Sequence, residues 1–189
     1  GVTLNLVSGV SRDLAGRIDS SKGGLRGTFP GIPDAPVSRF VLTLRGGKRG
    51  LLIDAFYSAG MNFAPLSPHA TEQLAKMLGP GSIVGNPLDA GFAAVVDPSV
   101  YMKSIQIMID DPGTDIVIID AELPKAPHEL RERNLRIVNE MAGAASKPVV
   151  YISAMSIGFT EFTKALRKSL PNIAVMQGLD RAVGAIKSL

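Results

Sequence analysis

The sequence predicts an α/β protein, a doubly wound parallel sheet with a β-rich insertion after its first strand. Three observations lead there. From Gly47 onward, strand-like and helix-like segments alternate, joined by connections of a few residues. "DIVIIDAEL" (Asp115–Leu123) and "KPVVYISAM" are continuous apolar runs, the pattern of strands buried on both faces. Residues 10–46 have a different character, rich in Gly, Pro and Ser, and interrupt that alternation. The expected organisation is one domain over residues 1–189, with residues 10–46 as an insertion within it.

Each element has its own signal. "VTLNLVS" (Val2–Ser8) is a short apolar run ending in Ser-Gly and reads as the first strand. Within the insertion, "SRFVLTLRG" alternates, with Phe40, Leu42 and Leu44 on one side and Arg39, Val41, Thr43 and Arg45 on the other, as in a half-buried strand. "KRGLLIDAFYSAG" places Leu51, Leu52, Ala55, Phe56 and Ala59 at helical spacing, and Gly60 supplies a C-terminal stop. In "SPHATEQLAKMLG", Ser67 is the N-cap, Pro68 takes the first helical position and Gly79-Pro80 ends the run. "GSIVGNPLDAG" is a short apolar run entering a turn-rich loop. "DPSVYMKSIQIMIDDPG" reads as a helix capped by Asp97 and stopped near Pro112. After the strand at Asp115–Leu123, "APHELRERNLRIVNEMAGAA" is amphipathic, setting Leu130, Leu135, Val138 and Met141 against Arg131, Glu132, Arg133 and Arg136. The strand "KPVVYISAM", the helix "GFTEFTKALRKSL", the strand "NIAVMQG" and the helix "LDRAVGAIKSL" complete the order.

Composition narrows the function classes. At 189 residues and 46% hydrophobic content, the chain can bury a sizeable single core. No apolar run reaches membrane-spanning length, and "GVTLNLVSG" lacks the charged start and long apolar stretch of a signal peptide. Cysteine is absent, which excludes disulfides and thiolate metal sites and fits a cytoplasmic location. The net charge of +3 is matched by residues 10–46 alone, where six basic residues face three acidic ones. The remainder is neutral, and aromatics do not interleave with the basic residues as a base-stacking surface requires. Neither nucleic acid nor membrane is therefore an expected partner.

In a doubly wound sheet, ligands bind beyond the carboxyl ends of the strands. That directs attention to Ser8–Gly9 with Gly46–Gly50, to Gly85–Gly91, to Asp120–Lys125 and to Ser153–Gly158. In "RGGKRGLL", the glycines Gly46, Gly47 and Gly50 bracket Lys48 and Arg49 just before a helix. A helix start leaves N–H groups unpaired and carries partial positive charge, and glycines let an anion approach closely. These five residues are the candidate phosphate site, and the other reading is a turn with solvated charges. Asn86, Asp89 and Ser153 are the candidate cleft-lining residues, with Asn86-Pro87-x-Asp89 equally readable as a loop braced by its own side chains. His69 and His128 each fall in the first turn of a helix and read as surface residues. Ser8, Ser153 and Ser156 have no histidine placed to form a triad, so no catalytic residue is assigned. Asp110-Asp111 reads as a helix end. Asp120 and Glu122 end a strand, where a carboxylate pair suits Mg²⁺ only weakly, and no metal site is assigned.

The run "PLSPHATEQLAKMLGPGSIVGNPLDAG" resembles the third, succinyl-CoA-ligase-like domain of NDP-forming acyl-CoA synthetases, which is flavodoxin-like. Gly46-Gly47 and Gly50 match that family's glycine turn and Asp54-Ala55 its Asp-Ala. Ser67 and Thr71, Asn86-Pro87-x-Asp89 and Arg181-Ala182-Val183 match its later motifs. The likeness covers roughly residues 47–189 plus the first strand at 2–9. Lys48 and Arg49 stand where the family more often has small or neutral residues. Residues 10–46 weakly resemble a segment of actinobacterial secreted or surface proteins, leaving open a natural excursion, a fusion or an engineered insertion. The resemblance implies a domain that is not catalytic alone and that directs a glycine-rich helix start at the phosphate of a phosphohistidine. The family's phosphorylated His motif, "SHTG", is absent here. It implies sister domains or subunits as partners and places CoA, ATP or ADP and Mg²⁺ in the parent enzyme, with no cofactor assigned to this domain. The competing expectation is a non-enzymatic binding or homo-oligomerisation module that uses the insertion on an α/β scaffold.

Overall fold

A computed structural model describes residues 39–43 and 46–188 of the chain. Five parallel strands form one sheet: β1 (Arg39–Thr43), β2 (Leu88–Asp89), β3 (Ile116–Asp120), β4 (Val149–Ser153) and β5 (Ala174–Gln177). Their spatial order is β2-β1-β3-β4-β5. Among the described residues seven helices accompany them: α1 (Gly46–Ser58), α2 (Pro68–Met77), α3 (Gly91–Val96), α4 (Pro98–Asp110), α5 (Glu129–Ala144), α6 (Glu161–Lys168) and α7 (Leu179–Lys187). The expected parallel sheet flanked by helices is present.

Alternation along the central strands divides the interior into two cores. Ile116 and Ile118 of β3, with Val150 and Ile152 of β4, pack against Leu52 and Phe56 of α1 and against Val183 and Ile186 of α7. Val117 and Ile119 of β3, with Val149 and Tyr151 of β4, face Leu74 of α2, Ile105 of α4 and Leu135 and Val138 of α5. Every residue of β3 and β4 is buried, as an apolar run covered on both faces requires.

Local chemistry ends the helices where the residues indicate. Gly60 has φ 76°, and the N–H groups of Gly60 and Met61 donate to the carbonyls of Tyr57 and Phe56. These are the two closing bonds of a Schellman end, which needs a left-handed residue at the position Gly60 fills. The Ser67 hydroxyl accepts from the Ala70 N–H at 3.1 Å, with Pro68 at the first helical position. The Asp97 carboxylate accepts from the Ser99 N–H at 2.8 Å at the start of α4.

The structure differs from the sequence expectation at three places. Arg39–Thr43, expected within the insertion, is a strand of the main sheet, paired over its full length with β3. Its Leu42 is completely buried, and the chain enters α1 three residues after Thr43. A strand between two neighbours alternates in sequence as readily as one on an edge, so the pattern alone did not place it. Leu88–Asp89, expected as loop, pairs with Leu42 and Thr43 as β2. Gly91–Val96 forms a short helix that no cap announced. The expected first strand at 2–8 and residues 10–38 of the expected insertion lie outside the described residues.

Candidate functional site

Strand order sets the location. β1 is followed by α1 on one face of the sheet, whereas β3 is followed by α5 on the other. Chain departing to opposite faces from adjacent strands opens a crevice at their carboxyl ends, the switch point of this topology. Register places Thr43 beside both Asp89 and Asp120 at that edge. A cavity of about 160 Å³ opens there, lined by Lys48 of α1, Val95, Asp120, Ala121 and Glu122 at the end of β3, His128, Leu130, Arg131 and Asn134 at the start of α5, and Tyr151 of β4.

Charges of both signs meet in this cavity. The Lys48 ammonium lies 3.6 Å from Asp120 Oδ2 and 3.7 Å from Glu122 Oε1. The second Glu122 oxygen, Oε2, lies 3.3 Å from Arg131 Nη2. The Asp120 side chain is fully buried, while those of Lys48, Glu122 and Arg131 are 14%, 21% and 36% exposed, so the cluster runs from a dry floor to a wet mouth. Behind the floor sits Tyr101 of α4, completely buried, its hydroxyl without a hydrogen-bond partner among the described residues. Burial, with the Asp120 charge nearby, pushes the Tyr101 hydroxyl above the usual phenol range. Burial does the same to Tyr151, reinforced by Tyr101 and Asp120. Both phenols are therefore neutral groups beneath a charged cluster.

The expected site residues separate into distinct places. Lys48 lines the cavity. Gly46, Gly47, Lys48, Arg49 and Gly50 form the opening of α1, where the first backbone N–H groups have no partner within a helix. A methyl group added at Gly47 or Gly50 would meet no atom of the described residues within 4 Å. Arg49 turns toward the neighbouring loop, where its Nε donates to the Pro87 carbonyl at 2.8 Å.

Asn86, Asp89 and Ser153 do not line this cavity. Asn86 precedes a cis peptide bond to Pro87, and its Nδ2 donates to the Ala64 carbonyl at 2.8 Å. Asp89 accepts from the Gly91 N–H at 3.0 Å. Gly91 is held at φ 67°, in the left-handed region, and a Cβ there would crowd the Gly81 carbonyl at 3.1 Å. Ser153 donates to the Met155 carbonyl at 3.2 Å. These side chains brace the loops at the strand ends.

The structure adds residues that the sequence reading assigned elsewhere. Arg131, read as part of a solvated helix face, reaches the cavity because α5 begins directly over the end of β3. His128 is the N-cap of α5 and stands at the mouth. His69 is exposed in the first turn of α2 and contributes to a second, mainly apolar groove between α2 and α4, near Asp110 and Asp111 and away from the strand tips. Among the described residues no group of three or more His, Asp or Glu is placed to hold a metal, and no helix is long and apolar enough to cross a membrane.

These features define a flavodoxin-type α/β fold with a switch-point cavity. Solved structures share it. The chain is similar to PH0766 from Pyrococcus horikoshii OT3, at 23% identity and a TM-score of 0.62, over 82% of this chain and 35% of that one. It is similar also to the dinucleotide forming acetyl-coenzyme A synthetase 1 of Ca. Korarchaeum cryptofilum in its apo form, at 19% identity and a TM-score of 0.58, over 83% of this chain and 33% of that one. The same values hold for that enzyme in complex with phosphate and ADP. The likeness establishes the fold, and the chain spans about a third of the length of these proteins. No protein-family model matches the chain, and no curated protein matches it in sequence.

Proposed function

We propose that this chain is the flavodoxin-like module of an NDP-forming acyl-CoA synthetase. In that reading it is not catalytic alone and offers the start of α1, Gly46 to Gly50, to a phosphoryl group. The parent reaction joins an acid to CoA at the expense of a nucleoside triphosphate, through an acyl phosphate and a phosphohistidine. CoA, ATP or ADP and Mg²⁺ would be bound by sister domains or subunits.

One observation carries the reading: Lys48, in the first turn of α1, lines the cavity at the carboxyl end of β3. Glycines around it place no side chain at the helix start, and the helix dipole favours an anion there. Exposed apolar side chains support a partner domain at the same edge. Phe92 and Val96 on α3, and Met155 and Phe159 after β4, project from segments that follow the strand ends. Asn86 and Asp89 then hold the neighbouring loop at the height of the cleft, and Ser153 does so after β4.

Thermal unfolding with phosphate, CoA or ADP, at matched ionic strength, tests this reading. A ligand that binds only the native state stabilises by about 2.7 kcal/mol at a hundred times its Kd. Phosphate should raise Tm in a concentration-dependent way that Lys48→Ala weakens, whereas CoA and ADP alone should not. A Tm indifferent to phosphate overturns the reading.

A further inference from the structure

Two neutral hydrogen-bond donors in the switch-point cavity have no close acceptor among the described residues. Asn134 of α5 is 8% exposed and lines the cavity together with Arg131 and Leu130, three and four residues earlier on the same helix face. Its Oδ1 accepts from Arg133 Nε and Nη2, each at 3.3 Å, and the same Nη2 donates to the Val95 carbonyl at 3.2 Å. A guanidinium carries donors only, so the Asn134 oxygen faces it and the Nδ2 hydrogens turn away. Among the described residues Nδ2 has no hydrogen-bond partner. Tyr151 of β4 is 2% exposed and lines the same cavity. Among the described residues its hydroxyl reaches only the Glu122 carbonyl, at 3.5 Å, well beyond the roughly 2.5–3.0 Å of an O–H···O bond. Burial keeps that phenol protonated, so it remains a donor at and above neutral pH. A buried donor left without an acceptor costs free energy, and two around one opening mark a place that a bound acceptor completes.

The geometry points to an acceptor site in which Asn134 Nδ2 and Tyr151 Oη donate to the carbonyl group of a small uncharged molecule held in the cavity. The donors decide the ligand's chemistry. Both are uncharged, so they offset the loss of water from a neutral carbonyl. An anion loses far more on leaving water and needs an opposing charge, which neither donor supplies. A carbonyl oxygen has two lone pairs and can accept from two donors. The cavity of about 160 Å³ has room for about five waters at roughly 30 Å³ each, the size of a short carbonyl-bearing segment. Arg133 is a positioning residue for this site. It holds the amide in one orientation and ties it to the end of α3 through Val95. The site stands independently of phosphate at the start of α1, where Lys48 and backbone N–H groups would be the contacts.

Titration of the ¹⁵N-labelled 189-residue chain with N-methylacetamide tests this. The expected result is saturable binding that moves the side-chain NH₂ signals of Asn134. Tyr151→Phe and Asn134→Leu should each weaken it about five-fold, the effect of losing one neutral hydrogen bond. If the leucine variant folds poorly, Asn134→Asp, which turns the donor into an acceptor, should lose as much. Arg133→Met should weaken binding by freeing the amide to rotate, and Arg133→Lys, which keeps a donor against Oδ1, should recover part of that loss. No saturable shift at the Asn134 side chain means that the donors serve water alone and overturns the site. Equal binding by Tyr151→Phe, Asn134→Leu and the unsubstituted chain also overturns it. Inorganic phosphate, titrated into the same variants at matched ionic strength, separates this site from the proposed function. Phosphate binding without N-methylacetamide binding overturns the carbonyl site alone, and N-methylacetamide binding without phosphate binding supports it while the phosphoryl reading falls.

Discussion

The Lys48 ammonium lies 3.6 Å from Asp120 Oδ2, tying the first turn of α1 to the carboxyl end of β3. The carboxylate is fully buried and the ammonium nearly so. Replacing Lys48 with Met removes a cation facing a desolvated charge. The expected loss is at least about 1–3 kcal/mol, the cost of leaving a buried polar group under-satisfied, which is larger for a charged one. A double-mutant cycle with Asp120→Asn checks the coupling, because the double variant should lose less than the sum of the single losses. Simple additivity would mean that the pair is not coupled.

Leu42→Ala tests the place of β1. Leu42 is completely buried, and its strand lies between β2 and β3. Truncation should cost about 2–5 kcal/mol, as at other leucine core positions. Urea denaturation measures it. A loss below half a kilocalorie would be the behaviour of a surface arm.

Gly60 closes α1 at φ 76°. An L-residue there enters the left-handed region at a cost of roughly 1–2 kcal/mol. Gly60→Val should lower Tm without altering anion binding, since the residue lies at the far end of α1 from Lys48.

Ser67→Ala removes the hydroxyl that caps α2 through the Ala70 N–H. The expected change is about 1 kcal/mol. Ser67→Asn should recover most of it, which separates capping from packing.

Alkaline stability depends on the two buried phenols. Tyr101 and Tyr151 ionise above the ordinary range because burial disfavours the phenolate. Groups raised in the folded state contribute stability that is complete below their unfolded value. Above about pH 10 the unfolded chain releases these protons while the folded chain keeps them, so stability falls as pH rises. The slope of unfolding free energy against pH should flatten in Tyr101→Phe, the milder of the two changes because it removes a hydroxyl without a hydrogen-bond partner among the described residues.

Much of this fold was legible because its signals are local. The uninterrupted apolar runs at Ile116–Asp120 and Val149–Ser153, the Ser67-Pro68 start and the Gly60 stop each depend on residues a few positions apart. β1 was misplaced for the opposite reason. Its alternation was read correctly as a strand, but whether it belonged to the sheet depended on pairing with Ile116–Asp120, far along the chain. β2 is two residues long, too short for any periodicity. At the site, Lys48 and the glycines stood out because charge and backbone freedom are visible in sequence. Arg131 did not, since "HELRERNLR" has the spacing of an ordinary solvated face. Only the position of α5 over β3 turns Arg131 toward the cavity. Asn86 and Asp89 were readable either as cleft-lining or as bracing their own loop, and their bonds to the Ala64 carbonyl and the Gly91 N–H are of the second kind.

In the proposed function the opening turn of α1, with Lys48, receives a phosphoryl group at the switch point. Titration of ¹⁵N-labelled protein with inorganic phosphate, followed by amide chemical shifts, tests it most directly. Saturable shifts are expected at Gly47, Lys48, Arg49 and Gly50, lost in Lys48→Ala with the fold intact. Shifts confined to other surfaces, or none at phosphate concentrations well above physiological levels, would contradict it.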